Sequence, residues 1–234
     1  AGRILLESGA ETYRVEDTMN RMAASYGLDD TYSFVTSTAI IFSLNDRTNT
    51  RLIRIRERTT DLEKITLTNS LSRKISNNEL KIDEAKEELF QLHHASLQYS
   101  FVTQFIAAMV ACGFFLFMFG GVASDAWIAC LAGGIAFLTF SFVQKYIQIK
   151  FFSEFVASAV VISIAAIFTK LGIAKNQDII TIASVMPLVP GILITNAIRD
   201  LLAGELLAGM SRGVEAALTA FAIGAGVAIV LLLL

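Results

Sequence analysis

Both prolines of this chain fall in one apolar run, Met186-Pro187-Leu188-Val189-Pro190-Gly191. Each proline removes a backbone donor and clashes with the turn before it, and the glycine adds conformational freedom. A helix through this run is expected to break, leaving unpaired carbonyls and the N-terminus of a half-helix. In membranes such breaks form solute sites, because the amide-rich end of a half-helix favours anions. A packing kink is the alternative, but one proline would suffice for it. Just beyond, Thr195, Asn196 and Arg199 lie within one helical turn and together could hold a carboxylate. Asp200 and Glu205 are candidate proton carriers, since ionisable groups in or near membrane helices are costly and tend to face partners, water or solute. Glu205 also suits a headgroup-level loop. Glu154, one turn into another apolar helix, reads either as a coupling carboxylate or as a charge snorkelling at a helix end. The expected solute site is therefore Pro187, Pro190, Gly191, Thr195, Asn196, Arg199 and Asp200, with Glu154 and Glu205 as possible coupling groups.

Other reactive residues offer less. His93 and His94 are neighbours, which point about 100° apart on a helix and do not chelate together. Glu7, Glu11, Arg14 and Asp17 read either as carboxylates with a cationic clamp or as a solvated face that docks a neighbouring domain. Asp17 and Arg21 have the spacing of a stabilising i,i+4 pair. No nucleophile motif or phosphate loop is present, so neither catalytic residues, a metal nor a cofactor is expected, and the chain does not read as an enzyme. Cys112 and Cys130 lie inside apolar runs and read as reduced thiols rather than a disulfide framework.

The elements that position these residues follow from hydropathy. Only 17% of residues are charged, against about a quarter in soluble domains, and 28 of the 40 lie at or before Glu88, the rest coming in small groups between long apolar runs. The net charge of −2 and the lack of a basic patch argue against nucleic acid as a partner. Crossing roughly 30 Å of hydrocarbon takes about 20 apolar residues. Runs at 101–122, 126–143, 151–168, 178–199 and 214–234 meet that need, and in lipid each must be helical. With the N-terminal part in the cytosol, Lys145, Lys150, Arg199 and Arg212 flank cytosolic loops, while Lys170 and Lys175 lie outside. That positive-inside bias predicts a cytosolic N-terminus and an external C-terminus in the cell membrane. Gly209 and Gly213 form a small-xxx-small pair for close helix approach. Without an initiator Met or a basic-then-apolar leader, the chain is expected to lack a signal peptide and some N-terminal residues.

Residues 1–97 read as a cytosolic α+β domain and residues 98–234 as a five-helix membrane domain. Leu5, Thr12, Val15, Met19, Met22 and Tyr26 share a face, which predicts one amphipathic helix of about 25 residues ending at Gly27. Residues 33–44 and 51–56, joined by the polar link 45–50, predict a β-hairpin. Thr60-x-x-Glu63 predicts a capping box opening a helix over 61–75. A last helix from Ile82 could run on into the first span.

Gly2-Arg3-Ile4-Leu5-Leu6-Glu7-Ser8-Gly9-Ala10-Glu11-Thr12-Tyr13-Arg14-Val15-Glu16-Asp17-Thr18 resembles the N-terminal signature of the threonine/serine exporter family. Gly120-Gly121 with Asp125 resembles it too, as does Leu188-Val189-Pro190-Gly191 followed by Thr195-Asn196-Ala197-Ile198-Arg199-Asp200-Leu201, Gly204, Gly209, Arg212 and Glu215-Ala216. The resemblance implies a membrane exporter of small amino or dicarboxylic acids, such as threonine, serine or succinate. It also implies the longer subunit of a split pair, partnered by a small membrane subunit of the same family, by a second copy of itself, or both. Proton coupling is the expected drive. The rival readings are a membrane-anchored hydrolase or ligand-binding domain, and a non-transporting assembly subunit.

Overall fold

The computed structural model describes residues 1–44, 50–147 and 149–233. They form two compact units, Ala1–Gln98 with Ile192–Val214, and Tyr99–Gly191 with Glu215–Leu234.

In the first unit the expected single N-terminal helix is two, α1 (Gly2–Glu7) and α2 (Thr12–Ala24). The chain turns between them at Gly9, whose φ of +88° favours glycine, and a Cβ there would lie 3.1 Å from the Thr59 carbonyl. The expected hairpin is a three-stranded antiparallel meander of β1 (Tyr32–Val35), β2 (Ala39–Ser43) and β3 (Arg51–Arg54), in the order β1-β2-β3. Residues 33–44 fold back on themselves because Thr36 accepts the Ala39 amide through its side chain and donates its own amide to the Ala39 carbonyl. Ile40 faces Val35 on one side and Ile53 on the other. Most of the link at 45–50 lies outside the described residues. Helix α3 (Leu62–Ser76) is capped by Asp61, one residue beyond the expected Thr60, with its carboxylate accepting the Lys64 amide at 2.9 Å. Helix α4 (Ile82–His94) stops at an extended Ala95 and does not continue into the first span. Leu5, Leu6, Val15, Val35, Ile40 and Ile55 form the core.

The second unit holds α5 (Phe101–Met118), α6 (Ala123–Tyr146), α7 (Phe152–Lys170) and α8 (Gln177–Val185). After a 3-10 turn at Met186–Leu188 come α9 (Gly191–Leu202) and α10 (Leu206–Leu233). Four of these helices are long and apolar enough to cross a membrane, and the interrupted pair α8 and α9 makes five if it counts as one span. Helix α8 packs against α5, α6 and α7. Buried Asp125 holds its start, accepting the Lys175 and Asn176 amides at 3.0–3.2 Å. Glycines allow the close crossings. A Cβ at Gly133 would collide with Cys112, and one at Gly226 with Ser158 and Phe155. Both cysteines are free.

Candidate functional site

The proline run interrupts the helix as its chemistry requires. Pro187 sits inside the 3-10 turn, Val189 is extended at φ −66° and ψ 129°, and the helix resumes only after Pro190. Beside the turn lies a cavity of about 160 Å³. Gly133, Phe137 and Phe140 of α6 form one wall, Glu154 of α7 another, and Ser184, Pro187 and Leu188 the third. Among the described residues Glu154 is its one ionisable lining residue, in an otherwise nearly apolar chamber. Ligand pockets for drug-sized molecules run to roughly 300–1,000 Å³, so this chamber suits a smaller solute. A Cβ at Gly191 would meet nothing within 4 Å, so the space around it does not require a glycine.

The polar residues after the break gather inside the first unit, around the segment that joins α1 to α2. Asp200 is fully buried. Its Oδ1 accepts the amide and the hydroxyl of Thr12, each at 3.0 Å, and its Oδ2 lies 3.0 Å from Nη1 of the equally buried Arg212. Thr12 is the first residue of α2, whose own N-cap Glu11 makes no capping bond. Asp200 thus supplies the anion that this helix N-terminus favours. Nη2 of Arg212 donates to the Ala10 carbonyl at 2.7 Å, and the Asn196 amide to the Gly9 carbonyl at 2.8 Å. Helices α9 and α10 present these groups as a hairpin. Gly204, at φ +90°, closes it, with its amide on the Leu201 carbonyl and the Glu205 amide on the Asp200 carbonyl. Gly209 meets Ala197 and Leu201 where the two helices cross.

Arg199 and Asn196 meet different protein groups. Nη1 of Arg199 donates to Glu11 Oε1 at 2.6 Å, while Arg14 takes the other oxygen at 3.2 Å. Thr195 is on the exposed side of α9, and Glu205 is half-buried at the hairpin turn. Burial raises the pKa of the Glu11 carboxyl, but its own backbone amide, the Arg199 hydrogen bond and the charges of Arg14 and Arg199 outweigh it and leave the group below 4.5. A depressed carboxylate stabilises the fold above its unfolded value and loses that contribution as pH falls through the folded one. The first unit is therefore expected to lose stability below about pH 4.5. In Arg199→Gln that acid-side slope should flatten, which thermal unfolding across pH 3 to 7 would measure.

The remaining acidic set disperses. Glu7 pairs with Arg3 at 2.8 Å and Asp17 with Arg21 at 2.8 Å, so Glu7, Glu11 and Asp17 do not face one site. Reading from sequence did not single out Thr12, and it gave Arg212 no partner. The signal available was that Glu11-Thr12, Asp200 and Arg212 all lie in the blocks carrying the family resemblance.

A family profile described as "Putative threonine/serine exporter" matches residues 1–234. The chain belongs to the threonine/serine exporter family. A curated member, "Probable threonine/serine exporter" of Mycobacterium tuberculosis (strain ATCC 25618 / H37Rv), is 24% identical over 222 residues. That match covers 89% of this chain and 40% of the relative, so the chain spans less than half the relative's length. No solved structure matches the chain. With its apolar helices, membership of the threonine/serine exporter family makes this a multi-pass membrane protein.

Proposed function

We propose that the chain is the solute-conducting part of a secondary exporter for small amino or dicarboxylic acids, with threonine and serine as the first candidates and succinate next. The observation that supports it most directly is the interrupted α8–α9 span opening beside a small chamber that holds one carboxylate, Glu154. A membrane-anchored enzyme would need no such break. In this reading the chamber takes the solute by alternating access around residues 187–191, and Glu154 carries the coupling proton. Pro187 forms part of the chamber wall, while Pro190 and Gly191 begin the half-helix. Asn196, Arg199 and Asp200 anchor that half-helix, and Thr195 lies on its exposed side.

Glu205 is a second coupling candidate. Burial raises the pKa of Glu16, the Val35 amide opposes this, and the charge of Glu205 adds to the rise. The N-terminus is cytosolic and the C-terminus external. The partner is a small membrane subunit of the same family or a second copy of the chain.

Flux in proteoliposomes tests this, with the chain alone and with its partner. Glu154→Gln should abolish threonine movement driven by a pH gradient yet retain threonine–threonine exchange, since the variant mimics the protonated group. Undiminished pH-driven flux would remove Glu154 from coupling. Absence of flux under every gradient would count against transport itself.

A further inference from the structure

A second cavity, of about 330 Å³, lies wholly within the first unit. Its charged lining comes from four elements far apart in sequence: Arg3 and Glu7 of α1, Glu57 of the segment after β3, Lys64 of α3 and His93 of α4. Burial lowers the pKa of His93, Glu7 raises it, and Arg3, His94 and Lys64 lower it further, so the imidazole is neutral at neutral pH. The wall then carries two cations, Arg3 and Lys64, and two carboxylates, Glu7 and Glu57. Their existing bonds use only part of their capacity. Arg3 engages Glu7 through Nε at 2.8 Å, Lys64 donates to the His93 carbonyl at 3.3 Å, and Glu57 has no hydrogen bond or ion pair among the described residues.

Balanced opposite charges around a small polar cavity fit a ligand that carries both signs. A polyanion would face two carboxylates, and a polyamine would face two cations. We infer that this cavity binds a free α-amino acid, with its carboxylate on Arg3 and Lys64 and its ammonium on Glu7 and Glu57.

The backbone joins this cavity to the α9–α10 hairpin. Four consecutive carbonyls lie along one strap. Those of Glu7 and Ser8 accept the Thr59 amide at 2.8 Å and the Asp61 amide at 3.1 Å, which hold the cavity's loop. Those of Gly9 and Ala10 accept Asn196 and Arg212, which hold α9 and α10. A ligand that orders the loop at 57–61 also orders the strap that anchors the half-helix. Resting on the exporter reading above, the cavity becomes a regulatory site at which the solute class to be exported sets the state of α9.

Hydrogen–deuterium exchange on the full chain in detergent tests the inference, with L-threonine, L-serine, succinate and inorganic phosphate as probes. Threonine and serine should slow exchange at 57–64 and 8–12, and succinate and phosphate should not. Glu57→Gln and Lys64→Met, both on accessible side chains, should each weaken the threonine effect on the order of tenfold or more. Protection confined to residues around Glu154, equal protection by succinate, or unchanged threonine affinity in both variants would overturn the site. Flux without protection at 57–64 refutes this site and spares the transport reading. Protection at 57–64 in a protein that shows no flux supports the site and counts against transport.

Discussion

Asp200→Ala is expected to destabilise the first unit by about 3–5 kcal/mol, the range for removing one partner of a buried ion pair. The variant leaves the Arg212 guanidinium buried beside a missing charge, and it strips the acceptor from the Thr12 amide and hydroxyl together. A buried donor left without its partner costs about 1–3 kcal/mol on its own account. The start of α2 should fray and the α9–α10 hairpin should loosen, because Asp200 is the residue common to both. Asp200→Asn keeps an acceptor for Thr12 and should be milder. The cleanest evidence is a cycle with Asp200→Leu, Arg212→Met and the pair. Thermal unfolding in detergent should show the double variant losing clearly less than the two single losses combined. Strict additivity, or an Asp200→Ala protein within about 0.5 kcal/mol of the parent, would show that the pair does not act as an anchor.

The second large effect is expected at the break. Proline costs a helix interior about 3 kcal/mol relative to alanine. Each Pro→Ala change therefore shifts the balance between interrupted and continuous helix by about a hundredfold. Opposing that shift are the Asp125 cap at the start of α8 and the Asn196, Arg199 and Asp200 bonds on α9. In Pro187→Ala/Pro190→Ala the interruption loses its main cause, and threonine flux should fall by at least about tenfold. The protein should still purify as a folded species, since neither proline is buried. Undiminished flux in the double variant would mean that the break serves packing alone.

The break was legible because proline acts locally: two of them, the second five residues before a polar cluster, admit few readings. Hydropathy likewise gave the long helices, although α10 begins at Leu206 rather than near Val214. The turn at Gly9 was hidden because the helical period of Leu5, Thr12 and Val15 continues across it, so sequence periodicity does not register the interruption. The turn inside 33–44 was hidden in the same way, since Thr36 and Thr38 suit a strand as well as a turn. The anchor around Asp200 was out of reach for a different reason. Its partner Thr12 lies 188 residues away, and Asn196, Arg199 and Asp200 have side chains that solute, water or protein could satisfy equally well. Spacing gave their shared helix face but not what that face meets.

Aqueous thiol labelling at Leu188→Cys, in a background carrying Cys112→Ala and Cys130→Ala, tests most directly whether the chamber at the break is the solute path. Modification by a membrane-impermeant reagent is expected, slowed by threonine at concentrations that saturate flux. A thiol that never reacts from water, or one that reacts at the same rate whatever solute is added to a transporting protein, would contradict it.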